Sequence, residues 1–230
     1  MFCAAFSSES ESFVFVFSPR SQCVLSVWDK RYQFFPVNAI YGCLGNFPGT
    51  GPFSLFSKSL STLFQVSRKG VERVPCSGLL EGCTASVQLA VAVGRDVRDV
   101  PAEDALSCVW GWSVAVSLTR DEPEDEGGVQ GGQNLPGSLL MTPLRPVARA
   151  LDPVSSDMWL YIDNQKVQAA NTAQMLYPLA ELVSLASRLW GLRAGDILLS
   201  GSAPSEAAVH AGSQIEAGVG GIGTARFILA

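Results

Sequence analysis

Residues 87–93 are apolar at every position but Gln88 and end at Gly94. A run of that length without polar alternation predicts a buried strand. Residues 112–118 read as a second strand. Between the two, Pro101 opens a short helix over residues 102–106, with Glu103 and Asp104 at its positive end. The clearest helix is 178–190. Leu179, Leu182, Val183, Ala186, Leu189 and Trp190 recur on one face, Pro178 suits the first turn and Gly191 the C-terminal cap. Asp163-Asn164 is a turn-compatible pair between residues 158–162 and 166–167, which predicts a β-hairpin. Gly195-Asp196 leads into a strand over 197–199, and strands over 215–217 and 224–229 close the chain.

The first 38 residues lack a clear period. Short strands are expected over 13–17 and 23–28, with a Ser-Pro-Arg-Ser turn between them. Residues 1–38 therefore form a divergent N-terminal extension or subdomain, and residues 39–230 the main domain. Residues 42–52 carry four glycines and two prolines and read as a loop. Residues 121–132 combine Asp121, Glu122, Glu124, Asp125 and Glu126 with four glycines. A solvated, flexible loop is expected there; a calcium loop would need an EF-hand register that this spacing lacks.

A hydrophobic content of 47% over 230 residues is enough to bury a sizeable core. The net charge of −5 argues against a nucleic-acid surface, which needs clustered Lys and Arg. No apolar run approaches the roughly 20 residues that span a bilayer, so no membrane partner is expected. Glu9 and Glu11 precede the 13–17 run where a signal peptide carries positive charge. The six cysteines form no C-x-x-C pair or zinc spacing, which predicts buried, reduced thiols in an intracellular protein, cytoplasmic or mitochondrial.

Ser86-Val87-Gln88-Leu89-Ala90-Val91-Ala92-Val93-Gly94 and Gly111-Trp112-Ser113-Val114-Ala115-Val116-Ser117 are similar in framework to E-x-E-L-A-V-V-I-G and G-Y-T-V-A-N-D. Asn46-Phe47, Leu55-Phe56-Ser57-Lys58-Ser59, Asn171-Thr172 with Met175-Leu176-Tyr177, and Leu199-Ser200-Gly201-Ser202-Ala203-Pro204 follow the same order as further motifs of one family. The chain from about Ile40 onward resembles the fumarylacetoacetate hydrolase family. The resemblance implies an α+β, β-rich fold: a rolled mixed β-sheet or sandwich core with peripheral helices. It also implies a homodimer or a subunit of a larger complex, and Mg²⁺ or Mn²⁺ held by carboxylates. That metal acts as a Lewis acid on small keto acids, in C–C hydrolysis of acylpyruvates or decarboxylation of oxaloacetate.

The family's two Glu and one Asp fall on Ser86, Gln88 and Ser117, so three negative charges leave the site. Hard cations want anionic oxygens, so no cofactor is expected here. Asp121 or Glu122 offers one substitute carboxylate if its loop folds inward. The family's His after Asn-Tyr is missing; the single His210 reads as a solvated loop histidine. The family's second lysine falls near Pro136-Gly137-Ser138. Lys58 and Arg120 remain as catalytic candidates, and Thr172 and Ser202 as substrate-binding ones. Lys58 is open to two readings, a partner for a substrate carboxylate or a surface lysine on a Ser-rich strand. Arg120 is either half of the family's Arg-Asp pair or the start of the acidic loop, and a turn hydroxyl accounts equally well for Thr172. Three functions follow: a member with impaired catalysis, an active hydrolase or decarboxylase with a rearranged site, and a structural subunit or keto-acid binding module. A Schiff-base mechanism requires Lys58 to be desolvated, with a depressed pKa.

Overall fold

The computed structural model describes residues 3–7, 12–16, 23–27, 34–67, 70–76, 78, 80–120 and 128–230. In chain order the strands are β1 (Cys3–Ser7), β2 (Ser12–Val16), β3 (Val24–Ser26), β4 (Phe34–Pro36), β5 (Ala39–Leu44) and β6 (Ser54–Lys58). Next come β7 (Leu63–Gln65), β8 (Glu72–Val74), β9 (Thr84–Val93), β10 (Val109–Thr119), β11 (Leu139–Met141) and β12 (Arg145–Pro146). The last six are β13 (Asp157–Ile162), β14 (Gln165–Asn171), β15 (Asp196–Leu199), β16 (Ala207–Ala208), β17 (Gln214–Val219) and β18 (Gly223–Leu229). The helices are α1 (Ala102–Ala105), α2 (Gly128–Gln133) and α3 (Leu179–Trp190).

The large sheet runs β6-β5-β15-β9-β10-β11-β7, with β12 on β10 and β16 on β9. It is mixed: β5–β15 and β7–β11 are parallel, the other pairs antiparallel. Its two edge strands, β6 and β7, are joined by residues 59–62 alone. Laid flat, seven strands would separate the edges by about 29 Å at the usual spacing of about 4.8 Å. The connection reaches about 17 Å at most. The sheet therefore has to curl into a roll, as the family resemblance implies. A second sheet, β14-β13-β17-β18-β8, covers one face.

Alternation along β9 sets the two faces. Ala85, Val87, Leu89, Val91 and Val93 point into the main core, with Leu160, Ala217 and Phe227 of the second sheet and Leu182 and Val183 of α3. Ala90 and Ala92 point into the roll, with Ala115, Leu139, Met141, Ile197 and Ile40. Small side chains on β9 and β10 suit this concave side. It is plugged by Leu25 of β3 and Phe35 of β4, whose ring lies 5.0 Å from that of Trp110. Strand alternation places Ser86, Gln88, Ser113 and Ser117 on this inner face.

The predicted β9, β10 and β13–β14 hairpin are present, the hairpin turning through Asp163 and Asn164 at φ of 50° and 64°. Both values belong to the primed turn that matches strand twist. α3 ends at Gly191, φ 67°. Four expectations change. Leu189 is 58% exposed, because the last turn of α3 overhangs the core and Trp190 stacks on Tyr41 at 4.3 Å. Gly42 lies inside β5 and not in a loop, where a Cβ would sit 2.7 Å from the Phe56 ring across the pair. Gly128, Gly131 and Gly132 belong to α2 and not to a flexible loop. Tertiary hydrogen bonds outweigh their poor propensity: Arg120 N donates to Gly132 O at 3.4 Å, and Lys58 Nζ donates to Gln133 O. Pro101 sits at the N-cap of α1, one position before its first turn.

In the N-terminal region β1 pairs with β2, and β3 with β4. The Ser-Pro-Arg-Ser turn and the acidic residues 121–127 lie outside the described residues. No helix among the described residues is long and apolar enough to cross a membrane. Cys23, Cys43 and Cys108 are free thiols, and burial pushes Cys43 up to about 12 and Cys108 to about 11, which keeps both protonated.

Gly45 ends β5 at φ 67°, and a Cβ there would meet the Pro52 carbonyl oxygen at 2.3 Å. Gly45→Ala combines a left-handed backbone penalty with a clash against main chain that has no rotamer to yield. A loss of about 2 kcal/mol in urea unfolding is expected. An unchanged midpoint would mean that this turn relaxes freely.

Candidate functional site

Asn46 follows directly on Gly45 and is fully buried. Its Nδ2 donates to Ser200 O at 2.9 Å and to Tyr177 O at 3.2 Å, while Oδ1 accepts from Tyr177 N at 2.8 Å. Its own carbonyl accepts from Leu176 N at 2.8 Å. A single side chain thus clamps the 172–177 segment and the 200–203 loop beside β9. Gly201, φ 81°, leaves room for it, since a Cβ there would sit 3.1 Å from Asn46 Cβ. Asn46→Ala should cost about 2 kcal/mol in chemical denaturation, because it strands buried backbone groups. Asn46→Asp should cost more, since two carbonyls would then face a carboxylate.

On the edge away from β10, β9 has no strand neighbour between its pairings with β15 and β16. Side chains fill the gap. Gln168, 1% exposed, accepts from Val87 N at 2.8 Å and donates to Ala203 O at 2.7 Å. Ser200 Oγ accepts from Leu89 N at 3.1 Å. These two bonds fix the strand that carries Ser86 and Gln88.

On the inner face Ser86 lies opposite Ser117, and Gln88 opposite Ala115. All three polar residues are buried. Gln88 Nε2 donates to Ser117 Oγ at 3.2 Å. Its Oε1 has no hydrogen-bond partner, and neither has Ser138 Oγ, where the second family lysine was expected. These are the two orphaned buried side-chain polar atoms among the described residues, and both fall at or near positions where the resemblance places family site residues. Buried polar groups are ordinarily satisfied, so these two atoms are unused hydrogen-bonding capacity.

Lys58 is a buried charged group on the inner face. It pairs across β5–β6 with Ile40, which faces the roll interior, and it is 5% exposed. Nζ donates to Gln133 O and, at 3.5 Å, to Gln133 Oε1. No carboxylate among the described residues pairs with it. Burial pulls its pKa down from 10.5 to about 8. The surface-lysine reading does not survive this burial.

The other candidates are held by local bonds. Thr172 Oγ1 donates to Pro153 O at 2.5 Å and accepts from Ser156 N at 2.7 Å, with one lone pair left over. Ser202 Oγ donates to Glu206 Oε1 at 3.1 Å. Arg120 is half-buried where β10 meets α2. His210 is exposed, with Nδ1 3.1 Å from Glu81 Oε1. Asp121 and Glu122 lie outside the described residues. Sequence reading passed over Asn46 as a clamp, Gln168, and Glu206, whose Oε2 accepts from Thr84 Oγ1 at 3.0 Å. Alternation puts Thr84 on the face of Ser86 and Gln88, so Glu206 stands at the end of that row.

As a cation site, Ser86, Gln88 and Ser117 offer three neutral oxygens, one already accepting from the Gln88 amide. Among the described residues no three His, Cys, Asp or Glu side chains cluster. Glu206 alone does not replace three carboxylates. The donor set of the described residues lacks the several anionic oxygens that suit Mg²⁺ or Mn²⁺.

Residues 48–229 match the family model described as fumarylacetoacetate hydrolase C-terminal. The mitochondrial oxaloacetate tautomerase FAHD2 of Arabidopsis thaliana is 30% identical over 156 residues, 64% of this chain and 68% of the relative. The mitochondrial oxaloacetate tautomerase FAHD1 of Oryza sativa is 28% identical over 176 residues, 73% of this chain and 75% of the relative. The fold is similar to that of fumarylpyruvate hydrolase from Pseudomonas aeruginosa, solved with Mn²⁺ and pyruvate, at a TM-score of 0.82 and 24% identity over 94% of this chain and 100% of that one. Fumarylacetoacetate hydrolase from Exiguobacterium antarcticum aligns at a TM-score of 0.75 and 21% identity, over 88% and 79%. With 182 of its 230 residues matched by the family model (48 through 229), the chain belongs to the fumarylacetoacetate hydrolase family.

Proposed function

We propose that this chain is a keto-acid-binding member of its family in which metal-dependent turnover is impaired or lost. The observation that carries the reading is the uncharged Ser86–Gln88–Ser117 set, buried and tied together by the Gln88–Ser117 hydrogen bond. Oxaloacetate and fumarylpyruvate, named for its relatives, are both 2-oxo acids with a second carboxylate. Lys58 supplies a cation for one such carboxylate. Ser86, Gln88 and Ser117 supply neutral hydrogen-bonding groups on the same inner face. A bed of this kind can bind and orient an anion without the Lewis acid that polarises its carbonyl in the family.

Calorimetric titration with Mn²⁺ and Mg²⁺, and turnover of acetylpyruvate and oxaloacetate on the same sample, test the reading. Pyruvate binding with neither metal uptake nor metal-stimulated turnover is the expected result. Tight metal binding or metal-stimulated turnover overturns it, and makes Asp121, Glu122 and Glu206 the residues to mutate. The same reading places the protein inside the cell, as its mitochondrial relatives suggest. It also makes the protein a homodimer, which light scattering of the purified chain checks.

A further inference from the structure

Lys58 is buried in the roll interior with no carboxylate partner among the described residues. Lys58 lies on the same face as Gln88 and Ser117, and its nitrogen is held by the carbonyl and side chain of Gln133. A lysine that serves only as a structural cation is normally matched by a carboxylate when buried, because a lone buried charge is costly. A lysine facing carbonyl-type acceptors can shed its proton and still donate through its remaining N–H groups. It then keeps a free lone pair. On the same inner face Ser86, Gln88 and Ser117 are neutral, and Glu206, the carboxylate described at the end of that row, is bonded to Thr84 and Ser202.

We propose that Lys58 Nζ is a covalent capture site for small 2-oxo acids, forming a reversible imine at C2. The proposal rests on the keto-acid reading above. The neutral amine attacks C2; the C–N bond forms as the carbonyl π pair moves to oxygen, which takes up a proton. The nitrogen gives up a proton and so regains its lone pair, the oxygen takes up a second proton, and the lone pair expels it as water, leaving an iminium. With oxaloacetate the C3–C4 bond breaks, carbon dioxide leaves, and the bonding pair moves toward the iminium nitrogen to give an enamine. Protonation at C3 and attack of water at C2 release pyruvate and the free amine. No oxidant or reductant enters the cycle. Hydroxyls of Ser86 and Ser117 and the orphaned Gln88 Oε1 lie on the same inner face of the sheet as Lys58. The lowered pKa supports this chemistry: at pH 7.5 about a quarter of the molecules carry the neutral amine, against about a thousandth for an ordinary lysine.

The chain has four lysines, Lys30, Lys58, Lys69 and Lys166, so reductive trapping can be mapped completely. The protein is treated with pyruvate and borohydride, digested, and searched by mass spectrometry for a lysine carrying the mass of one pyruvate less one oxygen. Lys58→Arg and Lys166→Arg are run beside it, and pyruvate binding is measured separately by calorimetry. The expected result is one adduct, on Lys58 in the unmodified chain, unchanged in Lys166→Arg and absent in Lys58→Arg, with a trapping rate that climbs through pH 8. Pyruvate binding with no adduct, or with adducts spread over the four lysines, overturns the imine and leaves the keto-acid reading standing. Absence of both binding and adduct overturns both. Mapping on the unmodified chain keeps the test decisive even if Lys58→Arg fails to fold.

Discussion

Replacing Ser86, Gln88 and Ser117 together by Glu, Glu and Asp is expected to create a divalent-cation site where the unmodified chain has none of comparable affinity. The three positions share one inner face, with Ser86 directly opposite Ser117 and the Gln88 amide in reach of the Ser117 hydroxyl. Carboxylates on this row would converge on one point, as ligand sets for hard cations do. A gain of about three orders of magnitude in Mn²⁺ affinity corresponds to about 4 kcal/mol. Without metal, the same three charges would be buried at positions that are now at most 6% exposed. Unpaired buried like charges repel and lose hydration. The metal-free variant should therefore melt well below the unmodified protein, and saturating Mn²⁺ should recover the difference. Gln88→Glu alone should lower stability without conferring tight binding, because one carboxylate does not make a set. Calorimetry and thermal unfolding with and without Mn²⁺ read both effects. A triple variant that stays blind to metal would mean that the backbone has drifted from the family's geometry. Mn²⁺ binding by the unmodified chain would mean that the ligands lie elsewhere.

The parts of the fold legible in the sequence are those set by local chemistry. The apolar stretch of β9 is readable because both faces are buried, and the Asp163-Asn164 turn because few residues tolerate positive φ. The overhang at Leu189 and the helix formed by Gly128, Gly131 and Gly132 are not readable. They depend on where the core stops and on hydrogen bonds from Lys58 and Arg120, distant in sequence. In the site, Ser86, Gln88 and Ser117 are legible as neutral residues, and that they stand where the family carries carboxylates is what the resemblance implies. Their arrangement as one neutral, partly unsatisfied row is not legible. Asn46 is legible as part of a motif, but its bonds to Tyr177 and Ser200 span more than 130 positions. The Ser-rich surroundings of Lys58 look solvated in one dimension, and only the curl of the sheet turns that strand end inward.

That inward turn gives Lys58 a thermodynamic signature that a surface lysine lacks. Its folded pKa of about 8 lies below the ordinary 10.5. Below pH 8 the amine is charged in both states, and the folded protein bears the full cost of the buried cation. Between the two values the unfolded chain holds a proton that the folded chain has released, so stability rises with pH. Across that window the rise amounts to about 3 kcal/mol. Lys58→Met removes the titration and fills the space with an apolar side chain of similar length. At pH 7 it should be more stable than the unmodified protein by about 2 kcal/mol, the buried-charge cost less about 1 kcal/mol for the hydrogen bond lost at Gln133. By pH 10.5 the advantage should vanish or reverse. Urea unfolding of both proteins from pH 7 to 10.5 gives the difference, in which the titrations of Tyr41 and the thiols cancel. A flat difference would mean that Lys58 is hydrated and titrates like a surface lysine. The imine chemistry would then lose its neutral amine at physiological pH, and the roll interior would be a plain anion-binding bed.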